Sequence, residues 1–289
     1  VPTLATNRKI REPMNIIALK ELLNQALRED LGMGDWSSNW IFSPSTQKKG
    51  RFIAKQAGIL AGVDVLEHVY EALGGGVSVH PTINDGSLFE NGQVIAEVEG
   101  PATVLLSGER VILNILQHLS GIASITHKLV QSLDDPSIKI ADTRKTLPGR
   151  RMIQKYAVRC GGGYNHRFRL DDGIMIKENH ISAAGGIKAA VERIRAQQGH
   201  MIKIEVEVES KQQVLEAVKA GVDVIMLDNQ SPESVKQMRR LIPSSILVEV
   251  SGGIGPDNIA SYKGCGADII SVGWITHSVQ ACDISFYID

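Results

Sequence analysis

Six short apolar runs recur in the second half of the chain, and a segment with helical spacing follows each run. The runs span residues 138–142, 174–177, 202–207, 223–227, 246–250 and 268–272. Repeated strand–helix units need a parallel sheet, because a strand can lie parallel to its predecessor only after a crossover connection. An eightfold β/α barrel usually takes ~250 residues, whereas these units occupy only about 140. The pattern therefore predicts either a reduced α/β barrel or an open doubly wound sheet.

The first half of the chain has a different pattern, in which one helix precedes several β-like runs. Residues 15–31 carry leucines at helical spacing, with Asn15 as the predicted N-cap and Gly32 as the stop. The β-like runs lie at 51–55, 77–80, 94–98 and 102–106. A long helix is predicted to begin near Ser107. This order indicates α+β character.

Length, charge and cysteine content exclude several classes of protein. The 289 residues suffice for one large domain or two modest ones, and a net charge of −1 argues against general nucleic-acid binding. Three widely spaced cysteines lie outside any CxxC pair and are predicted to pack in the core. They are Cys160, Cys265 and Cys282. No apolar run reaches the ~18–20 residues of a membrane span. We therefore expect a cytoplasmic protein with a loose leader at residues 1–13.

A basic segment lies directly after the first of the parallel strands. Residues 143–169 hold eight Lys or Arg side chains and no Asp or Glu. Like charges this close repel, so the segment either forms a solvated face or binds an anion. Arginine binds carboxylate or phosphate with a planar fork, and lysine adds a point charge. We predict that five cationic side chains bind a small molecule with more than one carboxylate. They are Arg144, Lys145, His166, Arg167 and Lys177.

Each predicted parallel strand ends in a polar residue or in glycine. In both architectures the ligand site lies at the carboxyl ends of the strands. Glu207 and Asp228 are predicted to bind sugar hydroxyls or Mg²⁺, because hard cations prefer oxygen ligands. The alternatives are solvation of the loops and pairing with the basic cluster. Residues 251–255, with a predicted helix start at Pro256, have the pattern of a phosphate-binding turn, and Gly273 after the last strand strengthens it.

The sequence gives no specific role to several other ionisable residues. Glu205 and Glu209 alternate in phase with Glu207, so all three are predicted to point to one face. The alternation does not decide which of the three glutamates takes part in the function. The remaining histidines lack ligand-like spacing and are predicted to be structural. They are His68, His80, His118, His127, His200 and His277.

Six motifs occur in a fixed order over most of the chain. They are DTRKT at 142–146, NHR at 165–167, KENH at 177–180, EVEVE at 205–209, MLDN at 226–229 and SGGI at 251–254. Together they resemble the quinolinate phosphoribosyltransferase family. The resemblance implies transfer of a phosphoribosyl group from phosphoribosyl pyrophosphate to quinolinate in de novo NAD biosynthesis. Pyrophosphate and CO₂ would leave, and nicotinate mononucleotide would form.

The resemblance also implies a fold, which is an N-terminal α+β sandwich domain followed by an open or reduced α/β barrel with parallel strands. The sandwich would take residues 14–120 and the barrel, with the active site, residues 121–275. Residues 276–289 would pack back on the N-terminal domain. The family further implies a homodimer, Mg²⁺ bound with the phosphoribosyl donor, and no organic cofactor.

The same resemblance assigns roles to individual residues. Quinolinate would be bound by Arg144, Lys145, His166, Arg167 and Lys177, and by Arg110 of the partner subunit. The ribose and Mg²⁺ would be bound by Glu207 and Asp228. The phosphates would be bound by Ser251, Gly252, Gly253 and Gly273. Further candidates are Thr143, Asn179 and His180.

Three other functions are rivals to this one. A related enzyme would transfer phosphoribosyl to a different acceptor. A phosphosugar aldolase or isomerase would use Lys177 or Lys203 as a Schiff-base lysine. A non-catalytic anion-binding protein would have no use for Glu207 and Asp228 beside the glycine turn.

Overall fold

The structure, a computed structural model, describes residues 14–289, and the predicted leader at 1–13 lies outside them. The described residues form two compact units. The first unit contains the chain up to His127, together with Leu147–Gly162 and Ser278–Asp289. The second contains Lys128–Thr146 and Gly163–His277. The domain limits predicted at residues 120 and 275 stay a prediction.

The first unit is built on a small antiparallel sheet. Its strands are β1 (Gln47–Ala54), β2 (Gly58–Ile59), β3 (Ser78–Pro81), β4 (Leu88–Phe89), β5 (Val94–Pro101) and β12 (Ile284–Ile288). Four of them form one sheet in the order β12-β1-β5-β3, while β2 pairs with β4. Phe52 of β1 lies opposite Phe286 of β12, with ring centroids 4.7 Å apart. The C-terminal strand is therefore an integral part of this sheet.

Several helices accompany the antiparallel sheet. They are α1 (Ile16–Leu31), α2 (Trp36–Ile41), α3 (Val65–Ala72), α4 (Ala102–Leu133) and α5 (Arg151–Cys160). The Asn15 side chain accepts hydrogen bonds from the backbone N–H groups of Ile17 and Ala18, which confirms the predicted N-cap of α1. None of the helices in the described part of the chain is long and apolar enough to cross a membrane.

One predicted strand is wrong, because residues 102–106 form the first turns of α4 instead. The helix begins at Ala102, five residues before the predicted start near Ser107. Ala102 and Leu105 are buried, and the spacing of three continues into the buried positions further along the helix. The β-branched residues of this short run favour a strand locally. The helical burial pattern over the whole element outweighs that preference.

The second unit contains the six parallel strands that the sequence predicts. They are β6 (Lys139–Ala141), β7 (Ile174–Ile176), β8 (Ile204–Val208), β9 (Val224–Asp228), β10 (Leu247–Ser251) and β11 (Ile269–Ser271). The strand order is β6-β11-β10-β9-β8-β7. The order runs through the chain without a reversal and brings the first strand beside the last, as in a barrel. A doubly wound sheet would reverse at a switch point. The sheet is open between β6 and β7 within the described residues.

The remaining helices belong to the second unit, and two of them begin at serine N-caps. They are α6 (Glu178–Ala184), α7 (Ile187–Arg195), α8 (Lys211–Ala220), α9 (Pro232–Arg239) and α10 (Trp274–His277). Ser210 caps α8 by accepting from the N–H of Gln213, and Ser231 caps α9, which has Pro232 at its first position. Strand register pairs Ser251 with Asp228, so the strand ends meet at one edge of the sheet.

Candidate active site at the carboxyl edge of the parallel sheet

A cleft of about 780 Å³ lies at the carboxyl edge of the parallel sheet, within the second unit. Most of the predicted site residues line it. They are Thr143, Arg144, Lys145, His166, Arg167, Lys177, Glu207, Asp228, Ser251, Gly252, Gly253 and Gly273. Cations from separate strand ends therefore share one cleft with two acids and a glycine turn. This is the arrangement on which the sequence prediction depended.

Two arginines face the cleft from neighbouring loops. Burial lowers the pKa of the Arg167 guanidinium, and the nearby charge of Arg144 lowers it further. Arg167 also donates from Nη1 to the carbonyl oxygen of Gly173 at 2.7 Å, which holds the side chain in place. Two guanidinium groups this close repel each other, and a bound anion relieves that repulsion.

Lys145 reaches the cleft along a path that a glycine leaves open. Its backbone N–H donates to Oγ1 of Thr143 at 3.0 Å, and its carbonyl oxygen accepts from Oγ1 of Thr276 at 2.8 Å. A Cβ atom on Gly273 would lie 2.9 Å from Cδ of Lys145. A side chain at 273 would therefore force the lysine stem to shift.

His166 is held by protein groups at its backbone and at both ring nitrogens. Its backbone N–H donates to Oδ1 of the fully buried Asp142 at 2.9 Å. Nδ1 accepts from the backbone N–H of Arg167 at 2.8 Å, so the proton of the neutral ring is assigned to Nε2. Nε2 lies 3.1 Å from Oε2 of Glu205, to which it donates. The ring therefore has a defined tautomer and orientation.

Two buried carboxyl groups lie beside the imidazole of His166. Glu205 on β8 is 7% exposed and Glu249 on β10 is 2% exposed. Burial, and then the negative charge of Glu205, raise the pKa of Glu249 to about 8. Oγ of Ser271 donates to Glu249. Glu249 was missed from the sequence, although a glutamate between Val248 and Val250 in a buried strand was a signal for it.

Lys177 at the end of β7 forms an ion pair with Glu207 on the neighbouring strand β8. Lys177 was predicted on the quinolinate side and Glu207 on the donor side. Glu207 thus makes the contact with the basic cluster that was the alternative to a sugar or metal role. Both side chains still line the cleft, where they are accessible to a ligand.

The glycine turn after β10 packs directly against the end of β9. Oδ1 of Asp228 accepts from Oγ of Ser251 at 2.6 Å, and Oδ2 accepts from Nδ2 of Asn229 at 2.7 Å. Gly252 has a φ of +91°, and a Cβ there would lie 2.2 Å from Oδ1 of Asn229. Gly253 has a φ of +63°. Glycine at 252 is required both by conformation and by space.

The helix predicted to start at Pro256 is wrong. Asn258 closes a turn instead, because its Oδ1 accepts from the N–H of Gly255 and its Nδ2 donates to the carbonyl oxygen of Gly253, both at 2.9 Å. Only a single 3-10 turn follows, at Ile259–Tyr262. Side-chain hydrogen bonds of this kind compete with helix formation. Anion binding here would use the backbone of the turn, without a helix dipole.

Comparison with known proteins identifies the family. The family described as quinolinate phosphoribosyl transferase matches by its N-terminal domain at residues 35–120 and by its C-terminal domain at residues 122–287. The chain belongs to the quinolinate phosphoribosyltransferase family. The resemblance seen in the sequence is thereby confirmed.

Individual relatives of the family are similar over almost the whole chain. A probable nicotinate-nucleotide pyrophosphorylase (carboxylating) of Bacillus subtilis (strain 168) is 50% identical over 272 residues, which cover 94% of each chain. A nicotinate-nucleotide pyrophosphorylase (carboxylating) of Mycobacterium leprae (strain TN) is 39% identical, with 92% of this chain and 96% of the relative covered. The crystal structure of NadC from Streptococcus pyogenes superposes with a TM-score of 0.93 at 42% identity and covers 96% of this chain and 99% of that one.

Three residues that the family implies do not line the described cleft. Arg110 lies on α4 in the first unit and is exposed. Asn179 and His180 are exposed on α6. Nδ1 of His180 accepts from the backbone N–H of Lys177 at 3.1 Å, so this histidine closes the start of α6.

Several cleft residues were not predicted from the sequence. His277 was predicted to be structural, but it lines the cleft together with Trp274, and the two residues are the last and the first of the short helix α10. Met175 and Met226 supply apolar surface from β7 and β9. The position of these residues depends on how the turns pack, which has no local signature.

Proposed function

We propose that this protein transfers the phosphoribosyl group of phosphoribosyl pyrophosphate to quinolinate, with release of pyrophosphate and CO₂ and formation of nicotinate mononucleotide. One observation carries the proposal. In a chain of this family, a single cleft presents clustered cations on one side, and two carboxylates with a glycine turn on the other.

The cationic side suits the aromatic dicarboxylate. Arg144 and Arg167 offer planar forks for two carboxylates, and Lys145 adds a third positive charge. Binding of the dianion would relieve the repulsion that lowers the pKa of Arg167. Met175 and Met226 provide apolar surface for a flat ring.

The other side of the cleft suits the phosphoribosyl donor. The turn at Gly252 and Gly253 brings backbone close to an anion, and Ser251 adds a hydroxyl. Glu207 and Asp228 fit Mg²⁺, because their oxygens line the same cleft and Mg²⁺ takes one or two carboxylates together with substrate phosphates. The ion, when bound, would neutralise the charge of the departing pyrophosphate.

The residues of the chain contribute mainly orientation and electrostatics. The ring nitrogen of quinolinate attacks the anomeric carbon of the ribose, so holding the two substrates in register supplies much of the rate. Asp228 and Glu207 favour the positive charge that develops at the ribose carbon. The cations near the ring must hold its carboxylates without retaining the one that leaves as CO₂.

We further infer that the active form is a homodimer, in which Arg110 of the partner subunit completes the quinolinate site. Its exposure on α4 agrees with a role outside its own chain. The test mixes two inactive variants, Arg110→Ala and Arg144→Ala. Recovery of activity in mixed dimers is expected, and no recovery in dimers shown to exchange subunits would contradict the shared site. A cytoplasmic location also stays a prediction.

Incubation with both substrates tests the proposed reaction directly. We expect CO₂ and nicotinate mononucleotide in equal amounts, only when quinolinate and phosphoribosyl pyrophosphate are both present with Mg²⁺. Nicotinate and other pyridine carboxylates are the matched acceptors that separate this reaction from transfer to a different acceptor. Absence of product with quinolinate, in protein that binds the donor, would reject the proposal.

A further inference from the structure

The buried carboxyl pair beneath the cleft has no part in the reaction as proposed above. Glu205 and Glu249 come from β8 and β10, which lie on either side of β9. Nε2 of His166 lies 3.1 Å from Oε2 of Glu205 and 3.5 Å from Oε1 of Glu249. Ligand-type atoms of the three side chains all lie within 4.8 Å of one another. Burying two acids together is unfavourable and calls for an explanation.

Polar neighbours account for the position of these two carboxyl groups. Two ionised carboxylates at this separation would repel strongly in a buried site. Both carboxyl groups approach the same ring nitrogen of His166, at 3.1 Å and 3.5 Å, and Ser271 donates to Glu249, so polar neighbours hold the pair in place. The raised pKa of Glu249 agrees with a proton on that residue at neutral pH.

The imidazole links this pair to the cleft. Its Nε2–H donates to Glu205, and its Nδ1 accepts the backbone N–H of Arg167. The ring therefore spans the distance between the buried carboxyl groups and the peptide that carries an anion-binding arginine. Because both ring nitrogens already have protein partners, His166 has no ring nitrogen left for a ligand unless one of these bonds breaks.

We propose that Glu249, acting with Glu205, is a positioning residue for the cationic side of the cleft. The pair holds His166 as the Nε2–H tautomer, and His166 in turn fixes the backbone of Arg167. The inference rests on the proposed function, because it takes Arg167 as a ligand of quinolinate.

Calorimetric titration of two variants tests whether Glu249 supports the binding of quinolinate. Glu249→Ala removes the partner of Glu205, and we expect about a tenfold loss of quinolinate affinity with a less than twofold change for phosphoribosyl pyrophosphate. Glu249→Gln keeps the shape and the hydrogen-bonding capacity of the protonated acid, so it should restore quinolinate affinity to within about threefold of the original. If the alanine variant does not fold, Glu249→Asp replaces it, because the shorter side chain withdraws the carboxyl group from the imidazole.

A matched control separates positioning from general loss of stability. Val248 is the fully buried neighbour of Glu249 on β10 and points to the other face of the strand. Val248→Ala should lower the melting temperature without changing quinolinate affinity. Equal losses for both ligands in Glu249→Ala, or no rescue by a folded Glu249→Gln, would overturn the inference.

Nitrogen-15 NMR of the imidazole gives a readout that does not depend on the substrate. The original protein should show His166 as the Nε2–H tautomer, assigned by loss of its signal in His166→Asn. Glu249→Ala should shift this signal, and Glu249→Gln should preserve it. An unchanged tautomer and chemical shift in Glu249→Ala would overturn the inference. Failure of the original protein to bind quinolinate would instead overturn the proposed function, and the imidazole signal would still decide how His166 is held.

Discussion

The two sides of the cleft recognise negative charge by different means. The cationic side uses long side chains from loops, such as Arg144, Lys145 and Arg167. The glycine side uses backbone, in a turn whose conformation is set by packing against Asn229. A side chain can be removed without much effect on the fold, whereas a turn of this kind fails when an atom is added. The first side should therefore be sensitive to deletion and the second to insertion.

The largest effect is expected from deletion on the cationic side. Arg144→Ala removes a guanidinium that can bind a carboxylate bidentately, and we expect quinolinate affinity to fall by about 100-fold or more. Calorimetric titration would measure it, with circular dichroism showing that the fold is retained. The matched control is Arg169→Ala, because Arg169 is exposed and pairs with Asp171 at 3.2 Å. Normal quinolinate affinity in Arg144→Ala would remove Arg144 from the site.

The next effect concerns Asp228, whose carboxylate binds two side chains at the glycine turn. Asp228→Ala removes the acceptor of the Ser251 hydroxyl and of the Asn229 amide. We expect affinity for phosphoribosyl pyrophosphate to fall by about 30-fold and affinity for quinolinate by less than threefold. Separate titrations of the two ligands would show this difference. Equal kinetics for both substrates in the variant and the original would reject the role of Asp228.

Insertion on the glycine side should have a moderate effect. Gly252→Ala places a Cβ 2.2 Å from Oδ1 of Asn229 at a φ of +91°, so the turn must shift. We expect donor affinity to fall about tenfold and the free energy of unfolding to drop by about 1–3 kcal/mol. Gly253→Ala is the comparison, because a Cβ there meets no atom within 4 Å and only the φ of +63° is unfavourable. A larger loss at 253 than at 252 would contradict the packing argument.

A separate prediction concerns the pH dependence of stability beneath the cationic side. The pKa of Glu249 is raised from 4.5 to about 8, so the folded state binds a proton that the unfolded state releases between these pH values. The stabilisation that this carboxyl group gives to the folded state is therefore fully present below the pKa of the unfolded state. It is lost as the pH rises through the pKa of the folded state. Glu249→Gln cannot ionise, so its free energy of unfolding should increase relative to the original between pH 5 and about pH 8. Urea denaturation at several pH values would measure this, and a constant difference would contradict it.

The parts of the fold that depend on local pattern could be predicted from the sequence. The six parallel strands, the caps at Asn15 and Ser231, and the glycines near the donor side all have local signatures. The run at 102–106 was misread because its β-branched residues favour a strand, while burial along the whole helix decides the structure. The turn at 256–258 was misread because Asn258 closes it with its side chain.

The chemistry of the candidate site was less accessible from the sequence. The meeting of Glu249 with Glu205 depends on the register of β8, β9 and β10, since the two residues lie 44 positions apart in the chain. His277 reaches the cleft through a four-residue helix that no periodicity could reveal. The pairing of Lys177 with Glu207 likewise follows from neighbouring strand ends. Such contacts are properties of the sheet rather than of any single segment.

In the described part of the chain the parallel sheet is open between β6 and β7, so the two halves of the cleft are held by different numbers of ladder hydrogen bonds. β6 and β11 are joined by a ladder, as are all strands from β11 round to β7, but the described residues of β6 and β7 share none. On the side of this opening, or seam, β6 pairs among residues 14–289 only through the isolated bridge between Ala141 and Tyr164, whereas spreading the rim beside Asp228 and Ser251 would break several ladder hydrogen bonds. The loops that carry Arg144 and Lys177 border the seam. We therefore expect the charged half of the cleft to widen more easily than the glycine half when a planar ring binds.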